Sequence, residues 1–199
     1  MDGQVAVGAT VFLGLWLQKP LRIAAANPSG ARLADAIAHY VELERPGPVL
    51  ELGAGTGSLT RGLLRGGCPA DRMISIEREP RLVEILRRKF PGVTVIAGDA
   101  TRIGQYLTGR VERLSTVVSS LPIKWFSLEA QRAVLEPCLE LLGSDGRFLQ
   151  VTNAFCSPLP MDRLGVAGQE ISRIWLNLLP AQIWAYSRRS EITIAGGQS

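Results

Sequence analysis

Short apolar runs recur through the middle of the chain at residues 49–52, 73–77, 93–97 and 115–119. Each is rich in Val, Ile and Leu and too short for a helix, so each predicts a buried strand. The segments between them are far longer than hairpin turns, and two carry helical spacing, residues 59–65 and 80–89. In the second of these, Leu82, Ile85 and Leu86 share one face. A long helix over 128–142 and a fifth strand over 146–152 complete the pattern. Strands joined by helical crossovers pair in parallel, and a parallel sheet needs helices on both faces. An α/β class follows.

The two ends depart from this alternation. Residues 171–188 hold two strand-like runs with only Leu178-Leu-Pro-Ala181 between them. That link is too short for a crossover, so this pair should be antiparallel. Residues 29–43 read as an amphipathic helix, with Leu33, Ile37, Tyr40 and Val41 on one face and Ser29 as its cap. His39, the only histidine, falls among small and apolar residues there and reads as structural. Arg45-Pro-Gly-Pro48 ends the helix.

Before that helix, no charge occurs from Gly3 to Gln18. The apolar run is short of the ~20 residues that a membrane span needs. A cleaved signal fits poorly, because Asp2 is the only early charge and Lys19, Pro20 and Arg22 interrupt the approach to Ala24-Ala-Ala26. Two readings remain open. One is a helix in the lipid headgroup region, with Phe12, Leu13 and Trp16 inserted and Lys19 and Arg22 near phosphates. The other is a helix packed on the domain's own core. The whole chain, 199 residues at 46% hydrophobic and 20% charged, is ordered in composition and sized for one domain. Its net charge of +4 suits an anionic partner: nucleic acid, phospholipid headgroups or an acidic small molecule. Cys68, Cys138 and Cys156 are odd in number and far apart, which reads as buried thiols, not a disulfide framework.

The chemistry-bearing residues cluster at strand ends. Glu51-Leu-Gly53-Ala54-Gly55-Thr56-Gly57 closes the first strand and opens a helix. Glycines there let the backbone turn tightly and let a ligand come close. The helix start favours a polar or negative ligand group. Glu77 ends the second strand and can accept both hydroxyls of a ribose. Asp99 follows the third. The C-terminal ends of strands are where open α/β sheets collect ligands. After the fourth strand comes Ser119-Ser120-Leu121-Pro122, followed by Ile123 where a nucleobase-binding loop would carry an aromatic ring.

The spacing G-x-G-x-G, with an acid two residues earlier, resembles the S-adenosylmethionine loop of class I methyltransferases. Over its full length the chain resembles bacterial phospholipid N-methyltransferases, which methylate phosphatidylethanolamine toward phosphatidylcholine. The motifs are Asn27-Pro28-Ser29, residues 50–57, Ala97-Gly-Asp-Ala100, Ser119-Ser-Leu-Pro122, Gln150-Val-Thr152 with Ser157-Pro-Leu159, and Asn177-Leu-Leu-Pro-Ala-Gln-Ile-Trp-Ala-Tyr186.

The resemblance implies a Rossmann-like sheet of seven strands, mostly parallel, with an antiparallel C-terminal strand inserted. It implies S-adenosyl-L-methionine as cofactor, held by Glu51, Gly53, Ala54, Gly55, Thr56, Gly57, Glu77, Arg78, Asp99, Ala100 and Ser119. Asp99 would meet the adenine amino group beside the backbone of Ala100. Ser119, Ser120 and Asn153 become the catalytic candidates, with Ser120 and Asn153 accepting hydrogen bonds from the target amine. Residues 1–28 would form a membrane-docking helix and lid, and 29–199 the methyltransferase domain. The partners implied are a phospholipid substrate and an anionic membrane surface on the cytoplasmic side, with no nucleic acid. The basic helix from Arg81 to Lys89 is either a second lipid contact or an ordinary solvated face.

The family's Tyr-Gly-Pro after the fifth strand is replaced by Asn153-Ala154-Phe155. That departure leaves open another amino lipid, such as an ornithine lipid. An rRNA adenine dimethyltransferase shares the Leu-Pro loop and stands as the other alternative. No strong base accompanies the loop, so orientation and desolvation of the amine are the expected means of catalysis.

Overall fold

The computed structural model describes residues 28–189 except Phe155, Asn177 and Leu178. The expected docking helix of residues 1–28 therefore lies outside the described residues but for Pro28. In chain order the elements are α1 (Pro28–Ala38), β1 (Val49–Leu52), α2 (Ser58–Arg65), β2 (Met73–Glu77), α3 (Pro80–Lys89), β3 (Thr94–Ala97), α4 (Ile103–Leu107) and β4 (Thr116–Ser119). Then follow α5 (Leu128–Leu142), β5 (Arg147–Thr152), α6 (Met161–Leu164), β6 (Val166–Leu176) and β7 (Leu179–Arg188). None of the described helices is long and apolar enough to cross a membrane.

The seven strands form one sheet in the order β3-β2-β1-β4-β5-β7-β6. Strands β1 to β5 pair in parallel, while β7 runs antiparallel to both β5 and β6. This is the expected sheet, with its late strand inserted. The strand order reverses direction at β1 and β4, the switch point where such sheets bind ligands.

Alternation along the strands sends side chains to two cores. Leu50, Leu52, Val117, Phe148 and Tyr186 pack with α4 and α5 on one face. Val49, Val118, Leu149 and Ile183 pack with α1, α2 and α3 on the other. Strands β1 and β4 are buried along their whole length, which is why they read as unbroken apolar runs.

The first helix stops earlier than expected, at Ala38. The chain must turn there to reach β1: the Glu42 N–H donates to Thr116 Oγ1 at 3.0 Å, and Tyr40 donates its hydroxyl to the Ile171 carbonyl at 3.0 Å. His39 is consequently exposed on the turn, edge-on to the Tyr40 ring, and not in a core. Cys68 and Cys138 are buried as expected, but Cys156 is exposed beyond β5. The expected link at Leu178–Ala181 is shorter in fact, since Pro180 and Ala181 already pair with Trp175 and Ile174.

Candidate active site

A cavity of about 380 Å³ opens at the C-terminal ends of β1, β2, β3 and β4. Its polar lining includes Glu77, Arg78, Glu79, Asp99, Thr101 and Ser120. Its apolar lining includes Ile76, Leu82, Leu121, Pro122, Trp125 and Phe126. Size and mixture suit a small organic ligand with a few fixed polar groups.

The floor is the glycine loop. Gly53, Gly55 and Gly57 all have positive φ, at 76°, 58° and 84°. A Cβ on Gly53 would come within 2.9 Å of Leu121 Cδ2, so this glycine lets the loop after β4 close over the loop after β1. Ser120 fastens the same junction by donating its hydroxyl to the Gly53 carbonyl at 2.7 Å.

Glu77 ties the floor to the wall. It accepts the Gly55 N–H on Oε2 at 2.8 Å and the Glu79 N–H on Oε1 at 2.9 Å. Each carboxylate oxygen keeps a further lone-pair site for a ligand hydroxyl. Asp99 caps the next turn: its Oδ1 accepts from the Thr101 N–H at 2.9 Å and from Thr101 Oγ1 at 2.8 Å. Partial burial opposes the Asp99 charge, but the Thr101 donors, with Arg78 and Arg102 nearby, hold the carboxyl below the usual aspartate range. Its Oδ2 lies 3.7 Å from Arg78 Nη1. Tyr106 accepts the Asp99 N–H and lies where a Cβ on Gly98 would strike its ring.

The structure thus brings Gly53, Gly55, Glu77, Arg78, Asp99, Ala100 and Ser120 to one cavity. Glu51, Ala54, Thr56, Gly57, Ser119 and Asn153 fall outside its lining. Glu51 is buried, and its Oε2 accepts from Thr60 Oγ1 and Ser75 Oγ, both at 2.7 Å. Its Oε1 and the Thr56 hydroxyl are buried without a hydrogen-bond partner. Ser119 is buried and accepts the Leu121 N–H at 3.3 Å, shaping the loop. Asn153 is exposed beyond the end of β5. Ile123 is buried under the loop, so the rings beside the cavity are those of Trp125 and Phe126.

Two glutamines that no motif singles out as site residues hold this loop from behind. Gln150 on β5 donates its amide to the Leu121 carbonyl at 2.9 Å. Gln131 on α5 donates to the carbonyls of Ile123 at 2.9 Å and Phe126 at 3.3 Å. For Gln131 the sequence offers only a glutamine on an otherwise apolar helical face, while Gln150 lies in the Gln150-Val-Thr152 motif.

The buried carboxyl of Glu51 gives a pH prediction. Burial pushes its pKa above the ordinary value of 4.5, against the pull of the Thr60 and Ser75 hydroxyls. The folded state therefore binds this proton more tightly than the unfolded chain does. Its contribution is full below pH 4.5 and is lost as pH rises through the folded pKa. Glu51→Gln should flatten that fall, read as denaturant midpoints across pH. An unchanged slope in the variant would remove Glu51 as its source.

The comparisons agree with this geometry. A family model described as a methyltransferase domain matches residues 49–146. An ornithine lipid N-methyltransferase of Singulisphaera acidiphila is 33% identical over 146 residues, 71% of this chain and 76% of that protein. A probable ribosomal RNA small subunit methyltransferase A of Methanosarcina mazei is 36% identical over 91 residues, 44% of this chain but only 30% of its own length. Among solved structures, magnesium protoporphyrin IX methyltransferase from Synechocystis shares the fold with a TM-score of 0.62 at 14% identity, over 95% of this chain and 99% of that one. S-adenosylmethionine is the cosubstrate of this family, and the residues present suit it: a glycine floor, a strand-end carboxylate with lone pairs to spare, and two orphaned buried oxygens. The chain belongs to the class I S-adenosylmethionine-dependent methyltransferases.

Proposed function

We propose that this chain N-methylates a primary amine on a lipid headgroup, with an ornithine lipid as the leading substrate and phosphatidylethanolamine as the second. The observation that carries the reading is the match to an ornithine lipid N-methyltransferase across 76% of that relative's length. The RNA methyltransferase match covers only 30% of its relative. Burial of Ile123 also weighs against a nucleobase, because the position after Pro122 offers no ring to stack on it.

In this reading Glu77 accepts the ribose hydroxyls, and Asp99 with the Ala100 backbone meets the adenine edge. The loop from Gly53 to Gly57 and the first turn of α2 receive the amino-acid end. Bound S-adenosylmethionine supplies an electrophilic methyl group on a sulfonium. Ser120 already spends its proton on the Gly53 carbonyl, so its lone pairs are left to accept an N–H from the target amine. Leu121, Pro122 and Phe126 keep water from the reacting nitrogen. Asn153, exposed and outside the cavity lining, takes no part in this step.

Attack requires a neutral amine, whose pKa is about 10.4 in water and falls when it is buried. The cavity lining holds no histidine, and His39 is exposed on the turn after α1. So kcat should climb about tenfold per pH unit below the bound amine's pKa. His39→Ala should follow the same profile within about twofold. A plateau governed by a pKa near ~6.5 that disappears in His39→Ala would overturn this mechanism.

The substrate assignment is tested by competition. Vesicles holding equal amounts of ornithine lipid and phosphatidylethanolamine, with ribosomal RNA in the same tube, are exposed to labelled cosubstrate. The reading expects most label in ornithine lipid, less in phosphatidylethanolamine and none in RNA. Label confined to RNA would replace it.

A further inference from the structure

The β6–β7 ribbon outruns the sheet. The last pair between β5 and β7 is Thr152 with Gln182, yet β6 and β7 stay paired through Ala181 and Pro180 to Leu176 with Leu179. At about 3.4 Å per residue the ribbon stands roughly 10 Å beyond β5. It projects from the edge where the cavity opens, because β7 starts at the C-terminal end of β5. The last described pairs of the ribbon are Trp175 with Pro180 and Leu176 with Leu179, where the end of a hairpin ordinarily carries polar residues.

Trp175, 66% exposed, and Trp125, 51% exposed, are the large exposed hydrophobic side chains among the described residues. Both belong to this edge. Trp175 pairs with Pro180 on the side of the sheet that α5 covers, and Trp125 lies on the turn leading into α5 beside the cavity. Trp125 lines the cavity itself, and three strand spacings of ~4.8 Å set β6, with Trp175, to one side of the cavity's β4 wall. Lys124 Nζ lies 5.9 Å from the Trp125 ring centre. Arg173 precedes Trp175 by two residues on the same side, with its guanidinium paired to both carboxylate oxygens of Glu170.

We propose that the β6–β7 tip, with Trp175 at its end, inserts into the headgroup region of an anionic bilayer and sets the cavity against it. The proposal rests on the lipid-amine reading above. Indoles favour the membrane interface, where the ring is apolar and its N–H stays wet. Lys124 beside Trp125 complements anionic headgroups. A lipid substrate would then offer its amine to the cavity while its acyl chains stay in the membrane. This contact uses the strand tip, independently of whatever residues 1–28 do.

The test uses the whole protein and vesicles of phosphatidylcholine and phosphatidylglycerol, which carry no methylatable amine. Wild type, Trp175→Ala and Trp175→Phe are compared by flotation, with cosubstrate titration as the folding control. Trp175→Ala should partition about tenfold more weakly, Trp175→Phe close to wild type, and cosubstrate affinity should be unchanged in both. Equal partition of wild type and Trp175→Ala overturns the proposal. So does a wild type that ignores vesicles and self-associates through Trp175. Should Trp175→Ala misfold, vesicles with brominated acyl chains decide the matter. Loss of quenchable tryptophan emission in Trp175→Phe supports insertion, and wild-type quenching in that variant overturns it. Since no amine is present, Trp175-dependent partition stands even if no lipid accepts a methyl group. Conversely, methyl transfer without Trp175 dependence would keep the function and remove this docking surface.

Discussion

Glu77→Ala should lose about a hundredfold in cosubstrate affinity, the equivalent of ~2.7 kcal/mol. The carboxylate is buried and performs two tasks at once. It accepts the Gly55 and Glu79 N–H groups, and it faces the cavity with lone pairs to spare. Truncation leaves two backbone donors short of a partner, at about 1–3 kcal/mol each when buried. It also removes charge-assisted bonds to the ribose, worth about 1.5–3 kcal/mol. Glu77→Gln should fall between, because its amide can accept from one of the two N–H groups but presents a donor to the other. Equilibrium titration separates these cases. Wild-type affinity in Glu77→Ala would withdraw the ribose assignment.

The second large effect is on stability. Gly57→Ala should cost about 2–4 kcal/mol, the sum of a left-handed backbone with a Cβ and an overpacked contact. Gly57 caps α2 at φ 84°, ψ 28°. A Cβ there would overlap Phe90 Cε2 and lie 3.0 Å from Leu86 Cδ2, and both of those residues are buried. For a chain of this size the melting temperature should drop on the order of 10 °C. Gly109 supplies the internal control: its φ is 70°, but nothing lies within 4 Å of its would-be Cβ. Gly109→Ala should pay the backbone cost alone, about 1–2 kcal/mol. Adding Phe90→Ala should recover part of the Gly57→Ala loss beyond additivity. Equal losses at Gly57 and Gly109 would show that the Phe90 contact relaxes freely.

Much of this architecture is legible in the chain because it is written locally. The limits of β1, β2, α3 and α5 fall where apolar runs and helical spacing end. The antiparallel hairpin follows from a link too short for a helix. Glycines and acids at strand ends mark the cavity before any side chain is placed. What escapes is long-range or brief. Thr60 and Ser75, which hold Glu51, stand 9 and 24 residues from it. Gln150 fastens the Ser120–Pro122 loop and Gln131 the turn that follows it, from a strand and a helix that sequence spacing does not connect to them. The five-residue α4 is too short to show a period, yet it carries Tyr106 to the Asp99 backbone. Asn153 reads as a ligand by its place after β5, and in the structure it is exposed and lies outside the cavity lining. His39 sits on an apolar helical pattern that α1 abandons one residue earlier.

The glycine loop serves packing as much as binding. Gly53 admits Leu121, and Gly57 admits Phe90. Gly53, which lines the cavity, therefore also locks the loops after β1 and β4 together, while Gly57 seats Phe90 against the start of α2. Substrate selection is left to the residues around Ser120 and to the surface that brings the substrate there.

The central claim is that a lipid-borne amine takes the methyl group. The most direct measurement is a single turnover of purified protein with methyl-labelled S-adenosylmethionine and vesicles of ornithine lipid, followed by mass analysis of the intact lipid and its headgroup fragments. The account predicts label on the free headgroup nitrogen, absent in Glu77→Ala. Ornithine lipid and phosphatidylethanolamine both left unlabelled, by a protein that binds the cosubstrate normally, would contradict it.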